Sequence, residues 1–357
     1  MTVRRRVWPA LLAVVLLAGC GAETPPTDRE AGDLSDLPPL APPEPSTDPL
    51  ANLPATFKGD LPNGSLQLNL FPDQTFFLRA MTPDRPGVPR DDLGGWVLSS
   101  DHRTLVVKGN RATEFFALRD GSTIRRLDAD AKEIDGSTAY DLKRAGRFEP
   151  FEVSTPMRGA YVYMADNASF TECSSGRRWP VAQEGANEDL ERAYLAARPS
   201  TGQPVVIQLE GRIAPRTRLD GTGTRPSLIV DHVAGVSKDQ SCGQRYSSVP
   251  LEGTYWKLVR VGSHQVAAGA SLTLDPASQS YAGSGGCNQV AGSYRRDGGR
   301  IAFTGAIRER SSCPSGMEVD EAFRTALTQV ARWRVLGSIL ELQDLGGATL
   351  ARFEAER

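Results

Sequence analysis

The chain has 357 residues, with 41 Lys and Arg against 43 Asp and Glu, so its net charge is close to zero. Such a balance lacks the basic surface that nucleic-acid binding requires, and we therefore predict no nucleic-acid partner. Glycine (35) and proline (25) are plentiful, and the apolar segments are short and alternating. This pattern predicts a mainly β protein with a few short helices and many turns.

Residues 1–19 have the features of an export signal. Residues 4–6 are arginines, and the apolar run 7–17 is too short to cross a hydrocarbon core of about 30 Å, which takes about 20 apolar residues. Residues 17–20 read Leu-Ala-Gly-Cys, which resembles the lipobox of bacterial lipoproteins. The resemblance implies cleavage before Cys20 and lipidation of its thiol, with palmitate among the acyl chains that bind the membrane.

Gly21 follows the lipidated cysteine at the position where an inner-membrane retention signal has aspartate. In a Gram-negative host this residue favours the periplasmic face of the outer membrane. Residues 20–53 then form a tether, whose segment 37–45 is rich in proline and lacks aromatic side chains. Such a segment buries too little surface to offset its ordering entropy, so we expect an extended, mobile spacer, with a Pro-motif ligand as the alternative.

Four cysteines remain besides Cys20, namely Cys173, Cys242, Cys287 and Cys313. An even number in an oxidising compartment suggests two disulfides, for which three pairings are possible. We favour Cys173–Cys242 and Cys287–Cys313, because each pair then lies within one predicted domain. The sequence has no Cys-x-x-Cys motif and no histidine at a usual ligand spacing from these cysteines. We therefore predict no metal site and no cofactor.

The first predicted domain covers residues 54–147. Apolar residues alternate in short runs about ten residues apart, separated by Gly-rich turns, which predicts a small antiparallel β-barrel. Residues 57–62 (Phe-Lys-Gly-Asp-Leu-Pro) and 73–76 (Asp-Gln-Thr-Phe) resemble the N-terminal domain of the NlpE family of copper-resistance lipoproteins. Members of that family usually carry Cys-x-x-Cys after the Leu-Pro. Residues 63–65 are Asn-Gly-Ser here, so the copper ligands are not carried over.

The second predicted domain covers residues 148–247. Residues 163–166 (Tyr-Met-Ala-Asp), followed by Cys173 and then Trp-Pro-Val at 179–181, resemble the OB-like C-terminal domain of the same family. The resemblance implies an OB-like barrel. Asn187 is expected to cap a helix. Residues 177–179 (Arg-Arg-Trp) are interpreted as a solvated hairpin end with a core tryptophan, and a local binding patch is the alternative.

The third predicted domain covers residues 248–357. Its Trp256-Lys-Leu, Gly-Cys-Asn288 and Cys-Pro314 motifs, followed by a helix with acidic first turns, resemble the META domain of the HslJ heat-shock lipoproteins. The resemblance implies a META-type β-sheet with one helix and no catalytic residues to transfer. We expect Trp256 to lie in the core and Asn288 to form a hydrogen bond within its own turn.

No constellation of catalytic residues is evident. The three histidines, His102, His232 and His264, fall in three different predicted domains, and the glycines at 283–286 lack the Lys-Ser/Thr of a phosphate loop. We therefore predict no catalytic residues and no enzymatic activity.

Together these observations predict a lipoprotein of copper homeostasis or the envelope-stress response, which acts by contact with an envelope protein or a small ligand. Two alternatives remain open. One is a structural or interaction lipoprotein without a metal role. The other is a lipocalin-like carrier, whose first domain encloses an apolar ligand. The sequence names no ligand-binding residues for any of the three.

Overall fold

The computed structural model describes residues 49–164, 167–198, 200–218, 221–237, 241–266, 269–307 and 316–356. The predicted signal peptide, Cys20, nearly all of the tether and Cys313 lie outside these residues. Lipidation and the Cys287–Cys313 pairing therefore stay predictions. No helix within the described ranges is long and apolar enough to cross a membrane. The predicted fold class is confirmed, because the described residues form three β-sheets and two short helices.

The first sheet is an antiparallel meander of eight strands, which closes into a barrel where β8 pairs with β1. A short 3₁₀ helix, Ser137–Tyr140, precedes the last strand. The strands are β1 Ala55–Leu61, β2 Gly64–Leu70, β3 Thr75–Met81, β4 Arg90–Leu98, β5 Thr104–Gly109, β6 Thr113–Asp120, β7 Thr123–Arg126 and β8 Asp141–Arg144.

Apolar side chains that alternate along the strands fill the interior of this barrel. Leu68 on β2 lies opposite Phe57 on β1 and Leu78 on β3, and all three side chains are buried. Because side chains of a strand alternate between two faces, the intervening residues point outward. Asn69 and Phe77 are such outward residues, yet both are also buried. Their burial shows that another part of the chain covers this face of the barrel.

The second sheet is a five-stranded barrel among the described residues, with the order β10-β11-β13-β12-β9. Strands β11 and β13 are parallel, and the helix lies between β11 and β12 in the chain. A disulfide joins Cys173 to Cys242, which is the pairing favoured from the sequence. The elements are β9 Val153–Met164, β10 Asn167–Glu172, β11 Arg178–Gly185, α1 Asn187–Ala197, β12 Val205–Thr217 and β13 Thr224–Val236.

The predicted cap of helix α1 is wrong. The helix starts at Asn187 itself, and Ala186 occupies the N-cap position without a side-chain hydrogen bond. The N–H of Ala186 donates to the Val230 carbonyl at 2.7 Å, which fixes the chain at this point. The Asn187 side chain therefore lies within the first turn, where its Nδ2 donates to Glu191 Oε1 at 2.7 Å.

The third sheet has nine strands within the described ranges, and a further pairing of β14 with β22 makes eight of them a continuous ring. Trp256 is fully buried, as predicted, and its Nε1 donates to the Leu251 carbonyl at 2.8 Å. The elements are β14 Trp256–Val261, β15 His264–Gln265, β16 Ala270–Asp275, β17 Ser280–Gly285, β18 Gln289–Asp297, β19 Arg300–Ile307, α2 Met317–Gln329, β20 Arg332–Leu336, β21 Ile339–Gln343 and β22 Thr349–Ala355.

The sequence suggested that Asn288 forms a hydrogen bond within its own turn, but its side chain bonds to helix α2 instead. Its backbone N and its Nδ2 donate to the two carboxylate oxygens of Asp320, at 2.8 and 2.9 Å. Asp320 lies in the first turn of α2 and is buried. This acidic residue therefore joins the helix to the β17–β18 hairpin instead of facing solvent at the helix N-terminus.

The three sheets meet at Tyr246, in the connector that follows the second barrel. The N–H of Tyr246 donates to the Ser174 carbonyl of the second barrel at 3.0 Å. Tyr246 belongs to one buried cluster with Val97 of the first barrel and Leu336 of the third sheet. Gly337 lies so close that a Cβ there would stand 1.8 Å from the Tyr246 hydroxyl oxygen. The orientation of the three sheets therefore depends on this contact.

A buried charge cluster also joins the third sheet to the first barrel. Glu341 is fully buried and accepts from Arg334 Nε at 2.7 Å and from Arg352 Nη1 at 2.8 Å. The two arginines donate onward to the carbonyls of Ala131 and Ala129, each at 3.3 Å. These bonds hold a loop of the first barrel against the third sheet.

Gly337→Ala should lower the free energy of unfolding of the full chain by at least about 2 kcal/mol, because the new Cβ meets a buried ring and the backbone has φ = 69°. Gly347→Ala is the matched control, since Gly347 also has positive φ (89°) but only Arg332 Nη1, at 4.0 Å, near a built Cβ. Urea denaturation measures both variants. If both variants lost the same free energy of unfolding, the contact between Tyr246 and Gly337 would contribute nothing to stability.

Candidate functional site

A cleft of about 280 Å³ separates the outer face of the first barrel from the second barrel. Its walls come from β2 and β3, from the connector before β9, and from the β12–β13 hairpin. Nine of its twelve lining residues are apolar, and the full set is Asn69, Phe71, Phe77, Phe148, Pro150, Phe151, Glu152, Arg177, Ile213, Ala214, Pro215 and Pro226. We call this region the aromatic cleft.

Four phenylalanine rings form the floor and one wall of the aromatic cleft. Phe77 faces outward because it lies between Phe76 and Leu78, which belong to the core cluster of the first barrel. Its ring contacts Phe71 edge to face, with centroids 5.0 Å apart, and Phe71 contacts Phe148 at 5.6 Å. Aromatic pairs of this geometry stabilise one another beyond their area of contact. The apolar surface is therefore a packed wall with a fixed shape.

Arg177 supplies the positive charge of the cleft. Its guanidinium carbon lies 4.8 Å from the centroid of the Phe71 ring, within the range of a cation–π contact. Its Nη1 donates to Thr75 Oγ1 at 3.3 Å, and its Nε lies 3.8 Å from Asp73 Oδ2. The interpretation of Arg177 as a solvated hairpin end is therefore wrong, because the first barrel covers it. Trp179 is a core residue, as predicted, and is 2% exposed.

A bidentate ion pair fixes the connector that carries Phe148 and Phe151. Arg79 donates through Nε and Nη2 to the two oxygens of Asp91, at 2.8 and 2.7 Å, and through Nη2 to the Glu152 carbonyl. Asp91 also accepts from the N–H of Ser154 at 3.0 Å. The Asp91 carboxylate raises the pKa of Arg79 above its ordinary value, chiefly through this hydrogen bond. The pair therefore holds the connector to the barrel.

A second, smaller cavity of about 180 Å³ lies at one mouth of the first barrel, under a charged rim. Asp92 in this rim accepts from the backbone N–H groups of Leu93, Asn110 and Arg111, at 2.9, 2.9 and 3.0 Å. Burial raises the pKa of the Asp92 carboxyl. Ligand sites commonly measure about 300–1,000 Å³, and the rest of the barrel is filled by side chains. This geometry gives little support to a lipid carrier.

No group of three or more His, Cys, Asp or Glu stands close enough to hold a metal ion in the part of the chain that the structure describes. His102, His232 and His264 belong to three different sheets or their loops. The described structure thus does not bring the three histidines together. Phe148 and Phe151 were not identified from the sequence, although two phenylalanines just before the first strand of the second predicted domain are a usable sign of a covered or binding surface.

Comparison with known families assigns the second and third sheets. Residues 152–243 match the family model of the NlpE C-terminal OB domain, and residues 249–357 match that of the META domain. We call the second sheet with its helix the OB domain and the third sheet with its helix the META domain, after the family models that they match. The resemblance expected from the sequence is thereby confirmed for these two parts. The OB domain contributes Arg177 and the β12–β13 hairpin to the aromatic cleft.

Individual relatives are similar over part of the chain. The lipoprotein NlpE of Escherichia coli K12 is 33% identical over 142 residues, which are 40% of this chain and 57% of the relative. The chain thus spans little more than half of that relative. The crystal structure of the Cpx pathway activator NlpE from Escherichia coli has 25% sequence identity and a TM-score of 0.25, covering 53% of this chain and 98% of its own. A putative lipoprotein from Shewanella oneidensis has 17% identity and a TM-score of 0.25, covering 29% and 98%.

Asp91→Ala should lower the free energy of unfolding by about 2–3 kcal/mol, since it leaves the partly buried Arg79 and the Ser154 N–H without their carboxylate. Asp84→Ala, in the exposed loop after β3, is the control and should leave the stability nearly unchanged. Urea denaturation with matched m-values is the measurement. If both variants unfolded at the same midpoint, the ion pair would not hold the connector.

Proposed function

We propose that this chain is a lipid-anchored protein of the bacterial cell envelope that serves the envelope-stress response through contact with an envelope protein. The aromatic cleft is the observation that carries the proposal. It is concave, largely apolar, positively charged at Arg177 and held in shape by the Arg79–Asp91 pair. The match to the NlpE C-terminal OB domain and the similarity to lipoprotein NlpE support the stress-response part.

The size of the aromatic cleft favours a peptide segment as its ligand. At about 280 Å³ it lies just below the usual range for drug-sized molecules. One or two apolar side chains of a partner fill such a volume, and backbone groups of the partner can then meet the polar rim at Glu152 and Arg177. Recognition of this kind needs no chemical step, so the proposal includes no enzymatic activity.

The same proposal includes a lipid anchor on Cys20. The Leu-Ala-Gly-Cys sequence at 17–20 supports acylation of Cys20, and Gly21 supports the periplasmic face of the outer membrane. Two or three acyl chains suffice for stable attachment. The tether that follows would let the folded part work at a distance from the bilayer, where envelope proteins can reach the cleft.

A role in copper homeostasis by direct ligation has less support than protein contact. Residues 63–65 are Asn-Gly-Ser where the NlpE family places Cys-x-x-Cys, and soft thiolate ligands are what Cu(I) prefers. We expect anaerobic Cu(I) titration of the full chain to show no binding tighter than about micromolar. A tighter stoichiometric site would restore copper binding to the proposal.

Phe148→Asp tests the cleft directly. The carboxylate places a charge in the apolar wall, so overproduction of this variant should induce an envelope-stress reporter at least fivefold less than the unaltered chain. Val88→Asp is the control, because Val88 is 58% exposed in the loop after β3 and does not line the cleft. Circular dichroism and membrane fractionation must show that both variants fold and localise equally.

Two outcomes would contradict the proposal. If Phe148→Asp induced the reporter as well as Val88→Asp, the cleft would not be the contact surface. If neither the variants nor the unaltered chain changed the reporter, while crosslinking in membranes still captured envelope proteins, a purely structural lipoprotein would be the better account.

A further inference from the structure

We propose that residues 33–48 of this chain, which precede the described structure, bind in the aromatic cleft of the same molecule. The cleft would then be occupied by the chain's own tether until a partner displaces it. This inference goes beyond the proposed function, because the intramolecular contact forms whether or not a protein partner exists.

The described chain begins at the end of the first barrel where Phe71 also lies. The carbonyls of Pro49 and Asn52 accept from Arg144 Nη1 and Nη2, both at 2.9 Å, which holds this stretch against the first barrel. A few residues later Ala55 pairs with Leu70 at the edge of β2. The next residue after Leu70 is Phe71, which lines the cleft. Residues before Pro49 therefore leave the barrel close to the cleft.

The chemistry of the cleft suits a proline-rich segment. Phenylalanine rings and the facing pair Pro215 and Pro226 form its walls. Residues 33–48 contain five prolines, at positions 38, 39, 42, 43 and 45. Aromatic-lined grooves bind such segments because a polyproline II helix is already extended and loses little entropy on binding. The same composition that prevents the segment from forming a core of its own makes it a suitable ligand here.

The charges on the two sides are complementary. Residues 33–48 contain four acidic residues, Asp33, Asp36, Glu44 and Asp48, and no basic residue. The hairpin of β12 and β13 that forms one wall contains four arginines and one aspartate between residues 212 and 226, and two of these arginines already pair with Asp231 and Glu184. Arg177 adds a further cation to the lining of the cleft, which also includes Glu152. Such complementarity favours this segment over a neutral or basic one.

The length of the segment permits the contact. At about 3.1 Å per residue, a polyproline II stretch covering residues 37–45 extends about 28 Å, and three further residues connect it to Pro49. Because the segment is attached, its effective concentration near the cleft is in the millimolar range. An intrinsic dissociation constant of about 1 mM would therefore already fill the cleft in about half of the molecules.

Disulfide trapping in the full chain tests the contact. A variant with Ala41→Cys and Pro226→Cys places one thiol in the segment and one at the cleft. The control variant combines Ala41→Cys with Val88→Cys, in the loop that follows the far end of β3. After mild oxidation, mass spectrometry of tryptic peptides should find the 41–226 disulfide in at least fivefold higher yield than the 41–88 disulfide. Pro150→Cys replaces Pro226→Cys if the latter does not fold.

A second variant tests the electrostatic part. Glu44→Lys with Asp48→Lys, added to the Ala41→Cys and Pro226→Cys background, should lower the trapped yield at least threefold. Equal disulfide yields for the cleft pair and the control pair would overturn the proposal, because a tether that moves without binding the cleft would reach both thiols equally. A yield unchanged by the charge reversal would overturn the recognition by charge. Neither outcome bears on the reporter experiment, so the two proposals can fail separately.

Discussion

The contact between Tyr246 and Gly337 is the constraint on which the relative placement of the three sheets depends. Tyr246 lies in the connector between the OB and META domains, and its ring fills the space where a side chain at position 337 would stand. The same residue belongs to one buried cluster with Val97 of the first barrel. A single buried aromatic residue thus has neighbours from every domain. The aromatic cleft exists because this arrangement sets the first barrel beside the OB domain.

Polar contacts then make the arrangement specific. Burying a charge is costly unless its hydrogen bonds are satisfied. Glu341 meets this requirement through Arg334 and Arg352, which in turn bind carbonyls of the first barrel. On the side that faces the OB domain, the charges of Arg79 and Asp91 are likewise satisfied by two hydrogen bonds to each other. Because such bonds form only at one relative orientation, the first barrel is held from two sides, and a cleft between domains can keep a constant shape.

The sequence predicted the parts better than their assembly. Alternation of apolar residues predicted the barrel of the first domain, because a strand has a fixed period of two. The same period places Phe77 on an outward face, and only the position of the OB domain shows that this face is covered. Arg177 and Asn288 were misjudged for the same reason, since their partners Thr75 and Asp320 lie about 100 and about 30 residues away along the chain. Local patterns carry no information on contacts of that range.

The ring of the META domain has a consequence for how the chain folds. Val261 on β14 lies opposite Ala351 on β22, and the ring closes only through this pairing of strands far apart in sequence. Contacts of such long range form late, because loop-closure entropy must be overcome first. Until then one side of β14 offers unpaired N–H and C=O groups, a surface open to strand exchange with another copy. Folding therefore includes an interval in which association between newly made chains competes with correct closure of the ring.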